Sequence, residues 1–112
     1  MSEITNPIVT VKVQLAYHLW LRVVVWPDVP TLRANNPSVG SDQVAHFQGE
    51  YTGKCIGTLN LASTNLQGYV IAHEVDHVIQ EFADRAWGER RGQIVGYITS
   101  EIDSLLKKAH LL

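Results

Sequence analysis

The chain has 112 residues, of which 46% are hydrophobic and 18% are charged. This length and composition are typical of one globular domain that buries its own core, and they exclude collagen-like and intrinsically disordered chains. A formal net charge of -2 provides no basic surface that could bind a phosphate backbone, so the sequence predicts no nucleic-acid partner.

The first half of the chain favours strands. Residues 8–14 and 17–26 are rich in β-branched and aromatic side chains, which suit a sheet. Pro27 and Pro30 end the second of these strands, and residues 28–36 can then form a short helix.

The second half predicts a hairpin followed by two helices. Residues 43–51 and 55–62 form the hairpin, with Gly53 in its turn. From residue 66 the hydrophobic period changes from two to about 3.6, which predicts a helix over 66–86 and a second helix that ends near residue 108. The predicted fold is therefore a single α+β domain over residues 1–112.

The sequence predicts neither a signal peptide nor a membrane-spanning segment. The N-terminal segment MSEITNPIVT lacks the basic and apolar regions of a signal peptide, and the apolar run 19–26 is interrupted by Arg22 and too short to span a bilayer. Cys55 is the single cysteine, and its alternating surroundings favour a buried small side chain over a nucleophile. We expect a cytoplasmic protein without membrane association.

The segment VIAHEVDHVIQEF, residues 70–82, carries two histidines four residues apart with a glutamate directly after the first. At about 100° per residue, one side of the predicted helix is an apolar stripe made of Ile71, Val75, Val78, Ile79 and Phe82. The opposite side carries His73, Glu74, His77, Glu81 and Asp84. Because both histidines lie outside the stripe, core packing does not explain them, and the competing interpretation is a solvated polar face.

These residue types at this spacing favour zinc. His73 and His77 lie one turn apart, where both imidazoles can reach one ion at about 2.0 Å. Glu74 points in another direction and can act on a zinc-bound water without becoming a ligand. This is the HExxH pattern of zinc peptidases; it fixes only three residue types, so its amphipathic helical context is what favours a zinc site over a solvated face.

The C-terminal half resembles the small zincin-fold metallopeptidases of the gluzincin type, and more closely the short HExxH proteins encoded by phages and prophages. The resemblance covers residues 43–106 and rests on HEVDH after GTLNLA and on the later segment GERRGQIVGYI.

The later segment matches the family only in part. A downstream helix of the family begins with a pattern like D-E-x-x-A-Y-x-x-G-Y. Glu89, Gly96 and Tyr97 match this pattern, whereas Gly92 and Gln93 replace the Ala-Tyr pair.

This resemblance implies a zincin-like minimal domain, with a small twisted sheet, an active-site helix bearing the HExxH motif and a following C-terminal helix. It implies zinc-dependent peptide hydrolysis, with His73 and His77 as ligands and Glu74 as general base. It also implies that an extended peptide substrate pairs with the strand just before the active helix, residues 55–63, although that strand could simply be buried. A phage-encoded protein would act in the host cytoplasm.

A catalytic zinc needs a third protein ligand, for which two glutamates compete. The resemblance favours Glu89, at the head of the pattern ending in Gly96 and Tyr97. Helix geometry favours Glu101, because a first helix unbroken to Ala86 and an antiparallel return would bring Glu101 level with the histidines. Glu89 requires the first helix to end early, near residue 82.

Other assignments stay open from the sequence. Residue type alone offers His46, Tyr51, Tyr97 and His110 as donors to an oxyanion, although packing or surface roles are more usual for each. A zinc-containing binding module, such as a phage factor that engages a host protein, and a metal-free interaction domain are the alternative functions. The sequence indicates neither the substrate nor the oligomeric state.

Overall fold

The structure, a computed structural model, describes residues 7–15, 18–36, 43–50, 53–86 and 91–111. These residues form a four-stranded sheet and three helices, which confirms a small α+β domain. In chain order the elements are strand β1 (Val9–Gln14), strand β2 (Trp20–Trp26), helix α1 (Val29–Asn35), strand β3 (Ala45–Gly49), strand β4 (Cys55–Ala62), helix α2 (Gly68–Ala86) and helix α3 (Arg91–Lys108).

The strand order of the sheet is β1-β2-β4-β3. β1 pairs antiparallel with β2, β2 parallel with β4, and β4 antiparallel with β3. The prediction that residues 55–63 present a free edge to a substrate is therefore wrong, because β4 is hydrogen-bonded on both sides. β3 and β1 form the two edges of the described sheet instead.

The predicted hairpin of β3 and β4 is confirmed. Its register pairs Ala45 with Leu61 and Gly49 with Gly57. Gly53 in the connection has a φ of 78°, a left-handed conformation that glycine adopts without steric cost. The turn chemistry read from the sequence therefore holds in the structure.

A bulge in β4 changes which side chains face the core. Trp20 pairs with Cys55 and Arg22 with Thr58, so β4 has one residue more than β2 over this stretch. Strict alternation would place Ile56 and Leu59 on opposite faces of the sheet, yet both belong to the core cluster. The extra residue is what brings them to the same face.

Helices α2 and α3 pack against each other, α2 also packs on β3 and β4, and α3 also packs on β1. Together with one face of the sheet they enclose the main core. From the helices that core takes the buried side chains of Val70, Ile71, Val75, Val78, Ile98, Ile102 and Leu106. Among the described residues, no helix is both long enough and apolar enough to cross a membrane.

Helix α1 covers the other face of the sheet through Leu32, which is fully buried outside the main core cluster. Asp28 caps this helix, because its Oδ1 accepts a hydrogen bond of 2.8 Å from the backbone N–H of Thr31. This bond lowers the pKa of the Asp28 carboxyl. The short helix predicted over 28–36 is thereby confirmed.

Candidate metal centre

Helix α2 brings the three residues of the HExxH motif together. The ring centroids of His73 and His77 lie 4.5 Å apart with an interplanar angle of 62°. One candidate ligand atom from each of His73, Glu74 and His77 lies within 4.8 Å of the others. Two nitrogen ligands of a tetrahedral zinc ion are about 3.4 Å apart, so small side-chain rotations would fit the two imidazoles to one ion.

The three side chains differ in exposure. Both histidines are exposed, as the helical phase predicts, whereas Glu74 is only 7% exposed. The prediction that Glu74 lies on the side of α2 opposite the apolar stripe is therefore wrong. The reason is that Glu74 is only about 60° from Ile71 around the helix, on the flank of α2 that packs against β3.

Glu74 and His77 are also close neighbours. The Oε2 atom of Glu74 lies 3.7 Å from Nδ1 of His77, whose side chain is 46% exposed. A carboxylate is seldom buried without a partner, because burial removes the water that stabilises its charge. The arrangement places a buried carboxylate beside two solvent-accessible imidazoles.

An open cleft of about 500 Å³ lies between α2 and the start of β3. Its walls are formed by Gln43, Val44, Ala45, Val70, His73, Glu74 and His77. The histidines and Glu74 thus lie where a molecule bound against the sheet edge would meet them. This cleft has apolar walls beside a polar group of two imidazoles and a carboxylate, as small-molecule and peptide sites commonly do.

Four of the cleft residues were not identified from the sequence. Val70 could have been found, because it precedes His73 by about one helical turn on the same side of α2. Gln43, Val44 and Ala45 carry no local signal, since their place in the site depends on how β3 packs against the helix.

The structure does not bring a third ligand to the histidines among the residues that it describes. Glu101 is exposed on α3 and is not part of the group formed by His73, Glu74 and His77. Glu89 lies outside the described residues, so its assignment stays a prediction.

The length of α2 is relevant to the assignment of Glu89 as a ligand, which requires the helix to end early. The helix continues to Ala86 and does not end near residue 82. The early end of the first helix that the Glu89 assignment requires is therefore not found.

The proposed oxyanion donors do not line the cleft where the structure describes them. His46 alternates with Ala45 and Phe47, which face the core, so it points to the other face of the sheet. Tyr97 is 50% exposed on α3, and His110 is exposed after the end of that helix. Tyr51 lies outside the described residues.

Comparisons with known protein families, with curated proteins and with solved structures find no match for this chain. Function is therefore inferred from the chain's own residues and from the geometry of the cleft.

We expect zinc affinity to distinguish the two candidate third ligands. Replacement of Glu89 by alanine should weaken zinc binding more than about 100-fold, because the loss of outer contacts alone costs up to that much. Glu101→Ala should leave the affinity within about twofold, since that carboxylate is exposed and outside the group. Calorimetric titration of metal-free protein with zinc measures both, and a tight site in Glu89→Ala with a weak one in Glu101→Ala would reverse the assignment.

Proposed function

We propose that the chain is a zinc-dependent peptidase of the HExxH type with a zincin-like fold, acting on peptide or protein substrates in the cytoplasm. The observation that carries the proposal is one cleft lined by two adjacent exposed imidazoles and a buried carboxylate on consecutive turns of α2. This combination supplies metal ligands and a base in one place, whereas a solvated helix face would leave Glu74 exposed.

Each residue of the motif has a separate role in this proposal. His73 and His77 would hold the ion through one nitrogen of each ring, and Glu89 is the proposed third ligand. When bound, zinc lowers the pKa of a coordinated water and polarises the peptide carbonyl. Glu74 would accept the proton of that water and then deliver it to the leaving amine.

The burial of Glu74 supports its role as a base. A carboxylate at the wall of a cleft is held in one place by its surroundings, while an exposed one samples many rotamers in water. General-base catalysis needs the acceptor within hydrogen-bond reach of the proton, so a fixed position lowers the entropic cost of reaction. The neighbouring histidine at 3.7 Å places this base beside the proposed ligands.

The proposed substrate is an extended peptide that lies along β3. This strand forms an edge of the described sheet, and residues at its start line the cleft opposite the histidines. A peptide that pairs with β3 would run past His73, His77 and Glu74, with backbone hydrogen bonds supplying affinity. The proposed substrate therefore still pairs with a strand of the sheet, but that strand is β3 and not β4.

The first test is the zinc content of protein purified without a histidine tag. We expect about one zinc per chain, and its loss in both His73→Ala and His77→Ala. The fold should persist in both variants, because these side chains are exposed and lie outside the core. His46→Ala is the matched control, since it removes an imidazole on the other face of the sheet. Stoichiometric zinc in the His73/His77 double variant, with the control unchanged, would contradict the proposal.

The alternative functions give different results in the same preparation. A zinc-containing binding module would retain one zinc per chain and cleave none of the peptides in an unbiased library. A metal-free interaction domain would contain no zinc after purification. The peptidase requires both bound zinc and cleavage that depends on Glu74.

A further inference from the structure

Two cations contact Trp20 on the face of the sheet that points away from α2 and α3. We call Lys12, Trp20 and Arg22 the Trp20 cluster. The Nζ atom of Lys12 lies 4.8 Å from the centroid of the Trp20 ring, and Cζ of Arg22 lies 5.2 Å from a centroid of the same side chain. Both distances are typical of cation–π contacts. The cluster is independent of the metal centre, which lies on the other side of the sheet.

The two cations face each other across the strand pair. Lys12 of β1 and Arg22 of β2 are direct partners in the antiparallel register. Like charges directly opposite each other destabilise a sheet, and natural strand pairs commonly place opposite charges there. The contact with the Trp20 ring offsets part of the repulsion between Lys12 and Arg22, but it does not neutralise either charge.

Carboxylates neutralise only part of the positive charge of the Trp20 cluster. Glu50 lies 3.6 Å from Nη1 of Arg22, whereas no ion pair to Lys12 is found among the residues described. Two cations thus contact one tryptophan with one carboxylate nearby, in a chain whose formal net charge is -2.

The guanidinium of Arg22 is already held in position. Its Nη1 donates a hydrogen bond of 3.1 Å to Oγ1 of Thr58, while its side chain is still 38% exposed. An exposed guanidinium that is fixed in this way loses less conformational entropy when it binds a carboxylate. Glu50 shows that a carboxylate can approach this group.

We propose that the Trp20 cluster is a docking surface for an acidic segment of a partner protein. Carboxylates of the partner would bind Lys12 and Arg22, and the half-buried ring of Trp20 would provide apolar contact. The small number of cations and the net charge of the chain favour an acidic protein over a nucleic acid, whose binding requires many phosphate contacts. This surface is separate from the cleft, so the partner need not be the substrate.

The test is an NMR titration of the full chain with a short peptide of glutamate and aspartate around a central leucine. The matched probe has the same length, with glutamine and asparagine in place of the acids. We expect the acidic peptide to shift the backbone signals of Lys12 and Arg22 and the indole N–H signal of Trp20, and its affinity to fall as salt is added. The amide probe should produce no such shifts.

Variants show whether the cluster itself is responsible. Lys12→Gln should weaken the affinity for the acidic peptide roughly fivefold, which is the upper range for one exposed charge pair. Lys108→Gln, at an exposed lysine near the end of α3, is the matched control and should leave the affinity unchanged. Thermal unfolding of both variants verifies that they fold, so a weaker affinity cannot be attributed to loss of structure.

Three results would overturn the proposal. The first is absence of shifts with the acidic peptide at low salt. The second is equal weakening by Lys12→Gln and Lys108→Gln, which would indicate unspecific charge attraction. The third is binding of a short thymidine oligonucleotide at the cluster with no binding of the peptide, which would assign the surface to nucleic acid.

Discussion

Replacement of Glu74 by glutamine is expected to leave zinc bound and to slow peptide hydrolysis by at least on the order of 10²-fold, the scale of general-base catalysis. The amide has nearly the same shape as the carboxylate, so it should fit the same buried position in the wall of the cleft. It cannot accept a proton from water, and the step that activates the nucleophile is lost. Zinc content and the rate of cleavage of a verified peptide substrate are the two measurements.

Asp76→Asn is the matched control for this variant. It makes the same change from acid to amide two residues further along α2, at a side chain that bonds Gln80 and does not line the cleft. We expect the control to retain both zinc and the full rate. An unchanged rate in Glu74→Gln would remove Glu74 from the mechanism, while loss of zinc in that variant would make it a ligand and not a base.

The local elements could be predicted from the sequence because their signals are local. The change of hydrophobic period at residue 66 and the glycine of the hairpin turn lie within the segments they define, and the helix that carries the motif ends at Ala86 as predicted. The exposure of His73 and His77 followed from the same helical phase. Short-range patterns therefore predicted the two exposed histidines of the candidate site, but not the residues at the start of β3 that line the cleft.

The order of the strands could not be predicted in the same way, because pairing in a sheet joins distant parts of the chain. β2 reaches its parallel partner β4 only after α1 and β3 have intervened. A sign of the central position is nevertheless present in β4, whose side chains are small or apolar at nearly every position and buried on both faces. An edge strand with one solvated face would alternate with polar residues.

The burial of Glu74 depends on the same long-range arrangement. On the helix alone it lies between the apolar stripe and the polar side, and the packing of β3 against α2 makes this flank the wall of a cleft. The base of the proposed mechanism is thus set in place by a strand more than twenty residues earlier in the chain. Any substitution that displaces β3 should therefore alter the cleft even though the HExxH residues themselves are unchanged.

Gly57 is the residue through which that dependence can be tested. It lies in the bulge of β4 opposite Gly49 of β3, with a φ of 151° that other residues rarely adopt. A Cβ atom added there would overlap the backbone oxygen of Gln48 and would lie 2.7 Å from the ring of Phe47. Both neighbours belong to β3, and the first is backbone, which cannot move away without displacing the strand.

We expect Gly57→Ala to lower the free energy of unfolding by roughly 3 kcal/mol, the combined scale of an unfavourable φ and of overpacking. The melting temperature should fall by roughly 10 °C, and the zinc affinity should fall with it as β3 moves from the cleft.

Two matched variants separate the effect of the positive φ from the effect of the steric overlap. Gly53 has a positive φ, but an added Cβ atom would meet no other atom there. Gly53→Ala should therefore lower the free energy of unfolding by about 1 kcal/mol. Gly96→Ala, in open space on α3, should be neutral or stabilising by up to about 1 kcal/mol. Urea unfolding of the three proteins gives these values, and a Gly57→Ala variant as stable as Gly53→Ala would mean that β3 and β4 are not packed as closely as described.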